Sequence, residues 1–321
     1  MSRLMNGDAN GKRLFALFAL LLGFSLTATM PAWAQVLQLS DSQEPGSVLV
    51  FPLFEKGKSV FQISVACPTG ASCTDGQDVD IRAHWVCPGS GTFNICLERD
   101  FVLDTTVNGT VTFTPPTNLP CPNGYLIAWV VNESAPGVNI KFDGLTGNAV
   151  IRESSTAVTS YNAIPIQAVS GLATGATVPG SPSLNFDGLT AYKAVTGVII
   201  GNVKYDSSSN QTSVVLLTLD VHSNRANIET FVDLVSFDRV EVPLSSTASF
   251  TCWGESSLSG LGLNNGDFGL ITSAPAVNAS GAPVTLLGLV ITREPSAAVT
   301  TRHYAYPLLN DSSPVATTFV P

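Results

Sequence analysis

Apolar and polar residues alternate with a period of two along much of this chain. In Val79–Cys87, the residues Val79, Ile81, Ala83, Trp85 and Cys87 alternate with Asp80, Arg82, His84 and Val86. Successive side chains of a strand leave opposite faces, so this spacing predicts a half-buried strand with His84 on its polar face. "SVLVFPLF" (Ser47–Phe54) is apolar on both phases and predicts a strand covered on both sides, with Pro52 marking an edge or a bulge. "SVFQISVAC" (Ser59–Cys67) and "GYLIAWVV" (Gly124–Val131) read as further strands. Asn108-Gly109, set between two β-prone runs, is a strong short-range hairpin signal. No stretch after the first 34 residues carries the 3.6-residue period of an amphipathic helix. Many short strands joined by turns predict an all-β sandwich.

The pattern then starts again. Ser170–Gly188 is rich in Gly, Ser, Pro and Thr and reads as a linker or long surface loop. Beyond it, "TGVIIGNVKYD" answers "GSVLVFPLFEK", "SVVLLTLDV" answers "SVFQISVA", and "ETFVDLVSFD" answers "DIRAHWV". "STASFTCW" answers "NGTVTFT", "GDFGLIT" answers "NGYLIAWV", and "HYAYPLL" answers "YNAIPIQ" with Pro307 on Pro165. The clearest match is "IRESSTAVTS" (Ile151–Ser160) with "TREPSAAVTT" (Thr292–Thr301), identical at six of ten positions, 141 residues apart. Within each copy, Arg152 and Glu153 are strand neighbours, so their side chains point to opposite faces and cannot form one dyad. The phrase therefore marks a duplicated corner. The reading is two tandem β-sandwich, immunoglobulin-like domains related by internal duplication: a signal peptide (1–34), domain 1 (35–169), a linker or long loop (170–190) and domain 2 (191–321).

The signal peptide is read from Arg3, Lys12 and Arg13, the apolar run Leu14–Leu26, and an A-x-A cleavage site at Ala32–Ala34. This places the chain outside the cytoplasm: periplasmic, at the cell surface or extracellular. No later run reaches membrane-span length. Removing Arg3, Lys12, Arg13 and Asp8 leaves 12 basic against 23 acidic residues in 287. An acidic chain without clustered cations is a poor partner for nucleic acid.

An exported chain with six cysteines is expected to hold disulfides. Proximity favours Cys67 with Cys73 and Cys87 with Cys96, leaving Cys121 and Cys252 to join the halves. No cysteine spacing suits zinc, and no metal or cofactor is expected.

Candidate chemistry is sparse. Asp220 and His222 share one strand face and would suit a base or a metal ligand. His84 lies beside Trp85, and His303 opens the closing strand where the first copy has Tyr161. Asp75 and Asp78 in "DGQDVD" offer carboxylates for a cation, but the stretch lacks the closing Glu of a calcium loop and a turn entering a strand accounts for them better. "GESSL" (Gly254–Leu258) lacks the final glycine of a nucleophile elbow.

The run "GSVLVFPLF … FQIS … AHWVC … NGTVTF … GYLIAWVV … FDGLTGNAV … YNAIP" resembles exported bacterial all-β proteins of uncharacterised role. That resemblance implies a fold and a compartment and transfers no mechanism. Three functions follow in order: a non-enzymatic structural, adhesive or binding protein with a protein or glycan partner; a carbohydrate- or ligand-binding module, favoured if Trp85, Trp129 or Trp253 line one exposed face; and a hydrolase with a site between the domains, built on Asp220 and His222.

Overall fold

The computed structural model describes residues 38–41, 43–89, 95–132, 134–153, 157–207, 211–222, 227, 229–238, 241–263, 268–294, 302–307, 309–310 and 314–321. Residues 1–37, with the segment expected to be a signal peptide, and positions 295–301 of the second repeated phrase lie outside them. The first half supplies β1 (Val48–Glu55), β2 (Ser59–Val65), β3 (Asp78–Val86), β4 (Glu98–Thr106), β5 (Thr110–Phe113), β6 (Asn123–Asn132), β7 (Ala135–Asn139), β8 (Leu145–Arg152), β9 (Val158–Asn162) and β10 (Ile164–Ile166). The rest supplies β11 (Leu184–Phe186), β12 (Val195–Thr196), β13 (Ile199–Lys204), β14 (Gln211–Leu217), β15 (Val221–His222), β16 (Thr230–Phe237), β17 (Pro243–Phe250) and β18 (Trp253–Ser257). It continues with β19 (Phe268–Ser273), β20 (Val277–Asn278), β21 (Leu287–Glu294), β22 (Arg302–Pro307), β23 (Leu309–Asn310), β24 (Pro314–Val315) and β25 (Thr317–Val320). The fold is all-β, and among the described residues no helix is long and apolar enough to cross a membrane.

Four main sheets hold most of these strands. In the first half a large sheet runs β10-β1-β6-β3-β4 and a smaller one β5-β2-β8-β9. In the second half the large sheet runs β23-β13-β19-β16-β17 and the smaller one β18-β14-β21-β22. Strand for strand, the two neighbour orders correspond. The hairpin at Asn108, with φ at 66° in the left-handed region that Asn tolerates, joins the large and small sheets of the first half. The registers correct two details of the repeat. "STASF" belongs to β17, which lies beside β16 as β4 lies beside β3, and it is β18 that takes the place of β5. His303 faces Arg293 in the ladder as Val158 faces Arg152, so its counterpart is Val158, and Pro307 occupies the position of Asn162.

The first sandwich is filled by aromatic rings. Trp85 stacks on Phe101 at 5.5 Å and meets Phe54 and Phe61 edge-on at 5.2 and 5.3 Å; Phe51 and Phe113 close the cluster. Such offset and edge-to-face pairs satisfy the ring quadrupoles. A second core of Ile199, Val203, Val214, Val232, Leu234, Ile271 and Val290 fills the other sandwich.

The strands β14 and β21 belong to both cores. Val214, Leu216 and Val290 face the second core, whereas Val215, Leu217, Leu287, Leu289 and Ile291 join the first. The smaller sheet of the second half therefore packs its outer face onto the first half, against β1. Residues 170–190, whose composition reads as a linker or long surface loop, are packed in part: Val178, Leu184 and Phe186 are buried in the first core, and β11 pairs with β25 near the C-terminus.

All six cysteines are paired, a state that persists in oxidising compartments outside the cytoplasm. Cys67–Cys73 forms as expected. The other two pairings differ from the sequence expectation: Cys87 joins Cys121, and Cys96 joins Cys252. The reason is topological. Cys87 follows β3 and Cys121 precedes β6, and these strands are neighbours, so their ends meet. Cys96 enters β4 next to the turn between β17 and β18, where Cys252 has a φ of 63°. The covalent link between the halves thus exists, through Cys96 instead of Cys121.

Candidate functional site at the junction of the halves

The repeated phrase meets itself at this junction. β21 carries Arg293 to the end of the sheet that packs on the first half, and its guanidinium is held by three carboxylates. Nη2 donates to Glu55 at 2.8 Å, Nε to Glu153 at 3.0 Å and Nη1 to Glu255 at 2.9 Å. Glu153 is the glutamate of the first phrase and Arg293 the arginine of the second. Glu55 ends β1, and Glu255 lies on β18 two strands from Arg293 in the same sheet. Lys58 closes the cluster, donating to Glu55 at 2.7 Å and to Glu153 at 3.0 Å. The planar guanidinium spreads its donors over three nitrogens, so each carboxylate takes its own.

Burial opposes the charge on Arg293, but Glu255, Glu153 and Glu55 outweigh it and hold the group more firmly protonated than an ordinary arginine. Burial would raise the Glu153 carboxyl; hydrogen bonds and charge from Arg293 and Lys58 overcome this and hold it below the ordinary glutamate value. The hydrogen bond to Glu55 raises Lys58 against its partial burial. The cluster lines an open cleft of about 390 Å³ with Lys56, Pro122 and Asn123. Its carboxylates are committed to cations, so its chemistry is that of an ionic clamp.

Beside the clamp the junction is aromatic. Trp253 donates from Nε1 to the carbonyl of Pro52 at 2.8 Å, and the Tyr125 hydroxyl donates to the carbonyl of Thr218 at 3.3 Å. Trp85, Trp129 and Trp253 are all buried, so they form no exposed platform. His84, expected on a solvated face, is also buried: the outer face of the first large sheet is covered by the second half. Its ring stacks on Trp129 at 4.9 Å, lies 5.9 Å from Phe319 of β25, and contacts Glu98 Oε2 through Nδ1 at 3.2 Å.

The other sequence candidates are dispersed. Asp220 and His222 do pair, Oδ1 to Nε2 at 3.0 Å, with His222 on the short β15 and Asp220 just before it, and the His222 amide donates to Asn227 at 2.7 Å. Asp75 accepts from the Asn108 side chain at 2.9 Å and so braces the hairpin, while Asp78 starts β3 on the surface. Among the described residues, no group of three or more His, Cys, Asp or Glu is placed to hold a metal ion. Sequence reasoning missed the clamp. The signal present was the Arg-Glu phrase itself, whose members pair across copies and not within one.

Protein-family models give no match to this chain, and neither do curated protein sequences. Among solved structures, the major pilin from Streptococcus pyogenes aligns at 12% identity over 85% of this chain and 97% of that one, with a TM-score of 0.19. The tandem CBM22-1–CBM22-2 domain of Paenibacillus barcinonensis Xyn10C aligns at 12% identity over 84% of each chain, with a TM-score of 0.14. Neither likeness reaches the level of a shared fold.

Proposed function

We propose that this chain is an exported structural or binding protein of the cell envelope, without catalysis of its own. It is built from two β-sandwich modules (35–169 and 191–321) that arose by duplication and are joined through 170–190. One observation carries this reading: the aromatic surface that a ligand-binding module would expose, including Trp129 and Trp253, is buried in fixing one module to the other. The Arg293 clamp and Cys96–Cys252 reinforce the same contact. A protein with a rigid intermodule contact and a hydroxyl-rich surface suits a scaffold role, with a protein or glycan partner outside the cell.

The Asp220–His222 pair supports a second reading, a hydrolase that uses His222 as base. The mature chain, produced with its disulfides, separates the two on a general esterase, glycosidase and peptidase screen run beside a glycan array. The scaffold reading expects no turnover, and cell fractionation is expected to find the protein in the envelope or medium. Turnover that disappears in His222→Ala would transfer the protein to the hydrolase reading. A reduced, cytoplasmic protein would remove the export reading.

A further inference from the structure

A polar cleft of about 460 Å³ lies on the outer face of the first small sheet. That is within the range of small-molecule sites, about 300–1,000 Å³. Its floor is the face that β8 and β9 turn away from the core: Thr146, Asn148, Ser160 and Asn162. Asn148 and Asn162 stand opposite each other in the ladder, which sets their Cβ atoms about 5 Å apart. The wall is the segment Gln43–Pro45. Buried Gln167 holds it in place, its Nε2 donating to the carbonyls of Asp41 at 2.7 Å and Glu44 at 3.0 Å. Thr146, Ser160 and Asn162 are exposed and Asn148 is half-buried, and none of the four spends its side chain on a hydrogen bond within the molecule. The duplicate of this face diverged: Leu287 and Leu289 stand where the first half has Thr146 and Asn148, and they are buried against the first half.

We infer that this cleft binds a neutral oligosaccharide. The inference rests on the reading of the chain as a scaffold with a partner outside the cell, and it names that partner's chemistry. Each floor amide carries both donors and an acceptor, and each floor hydroxyl can donate and accept. Adjacent hydroxyls of a sugar ring do the same, so the two sets match. Glu44 is the one charged side chain of the lining, so an anionic sugar or a phosphate meets a carboxylate and no cation. Pro45 and Pro165 supply apolar contact for the C–H face of a ring. An extended peptide would instead add to a sheet edge, and β22 lies alongside β9, where that edge would be. The floor side chains project from paired strands, so binding costs little ordering of the protein backbone.

A glycan array and isothermal titration calorimetry on the mature, oxidised chain test this. The titrations use cellohexaose, xylohexaose and mannohexaose, with hexagalacturonate as the anionic counterpart. Binding of a neutral glycan at a micromolar to millimolar Kd is expected, with hexagalacturonate at least about tenfold weaker. The double variant Asn148→Ala/Asn162→Ala should weaken binding at least about tenfold, through the loss of two amides. Ser249→Ala, on the exposed face of β17, should leave it unchanged. Ser160→Ala, at an exposed position, serves as the second cleft variant should the double variant fail to fold by circular dichroism, and it too should weaken binding. No neutral glycan bound, preference for the anionic sugar, capture of a mixed hexapeptide library in place of glycans, or binding indifferent to both cleft variants would overturn the inference. Each of these leaves the scaffold reading standing, because that reading fails separately, on turnover abolished by His222→Ala.

Discussion

Arg293 shows how one side chain concentrates the junction's electrostatics. Three glutamates converge on it, and Lys58 balances part of their charge. Removing the guanidinium leaves partly buried carboxylates facing one another, so Arg293→Met should lower unfolding free energy by about 3 kcal/mol in urea titrations. Arg293→Lys keeps the charge but loses the three-way geometry, and should recover less than half of that. The same cluster sets a pH dependence. Glu153 has a folded-state pKa below its unfolded one, so its contribution is complete above the ordinary glutamate range. That contribution is lost as pH falls from that range through the depressed folded value. The melting temperature should fall across that acid window, and Glu153→Gln should start lower and show a shallower fall.

At the scale of elements, the two small sheets share a strand order and differ in what faces outward. β2 and β8 show Gln62, Ser64 and Asn148 to water; β14 and β21 show Val215, Leu217 and Leu289 to the first half. Val215→Gln should destabilise the chain by about 2–4 kcal/mol, through a polar amide placed in an apolar contact. The converse change, Asn148→Leu, should leave the melting temperature within about 3 °C and increase non-specific association in light scattering. Much of this was readable beforehand. The strand periods of β3, β14 and β16, the Asn108 hairpin and the order of repeated segments all follow from local pattern, because side chains on a strand alternate. His84 was misread for the same reason: alternation assigns a side chain to a face and does not say what covers that face. The Arg293 clamp was not readable, since its members come from β1, the turn after it, the residue after β8, β18 and β21, and meet only after the halves dock.

At the scale of the whole molecule, Cys96–Cys252 spans 156 residues and closes the longest loop of the three disulfides. By the chain-entropy model its removal should cost about 5 kcal/mol. The double variant Cys96→Ser/Cys252→Ser should lose that much in denaturant titration, and much more than removal of Cys67–Cys73, whose separation is 6. Peptide mapping without reduction should recover Cys87 with Cys121, and a Cys87–Cys96 peptide in its place would contradict the fold.

The sequence alone determined the class of structure: all-β, from period-two alternation and turn residues, with the same order of segments written twice and an even set of cysteines suited to an oxidising compartment. These are local properties, fixed by backbone geometry and composition. Only the tertiary structure decided which cysteines pair, which apolar faces are covered and which residues of the two Arg-Glu phrases meet. Those are contacts between segments 100 residues or more apart for Cys96–Cys252 and Glu153–Arg293. Their partners are selected by how sheets stack, and the alternation of a single strand holds no record of that.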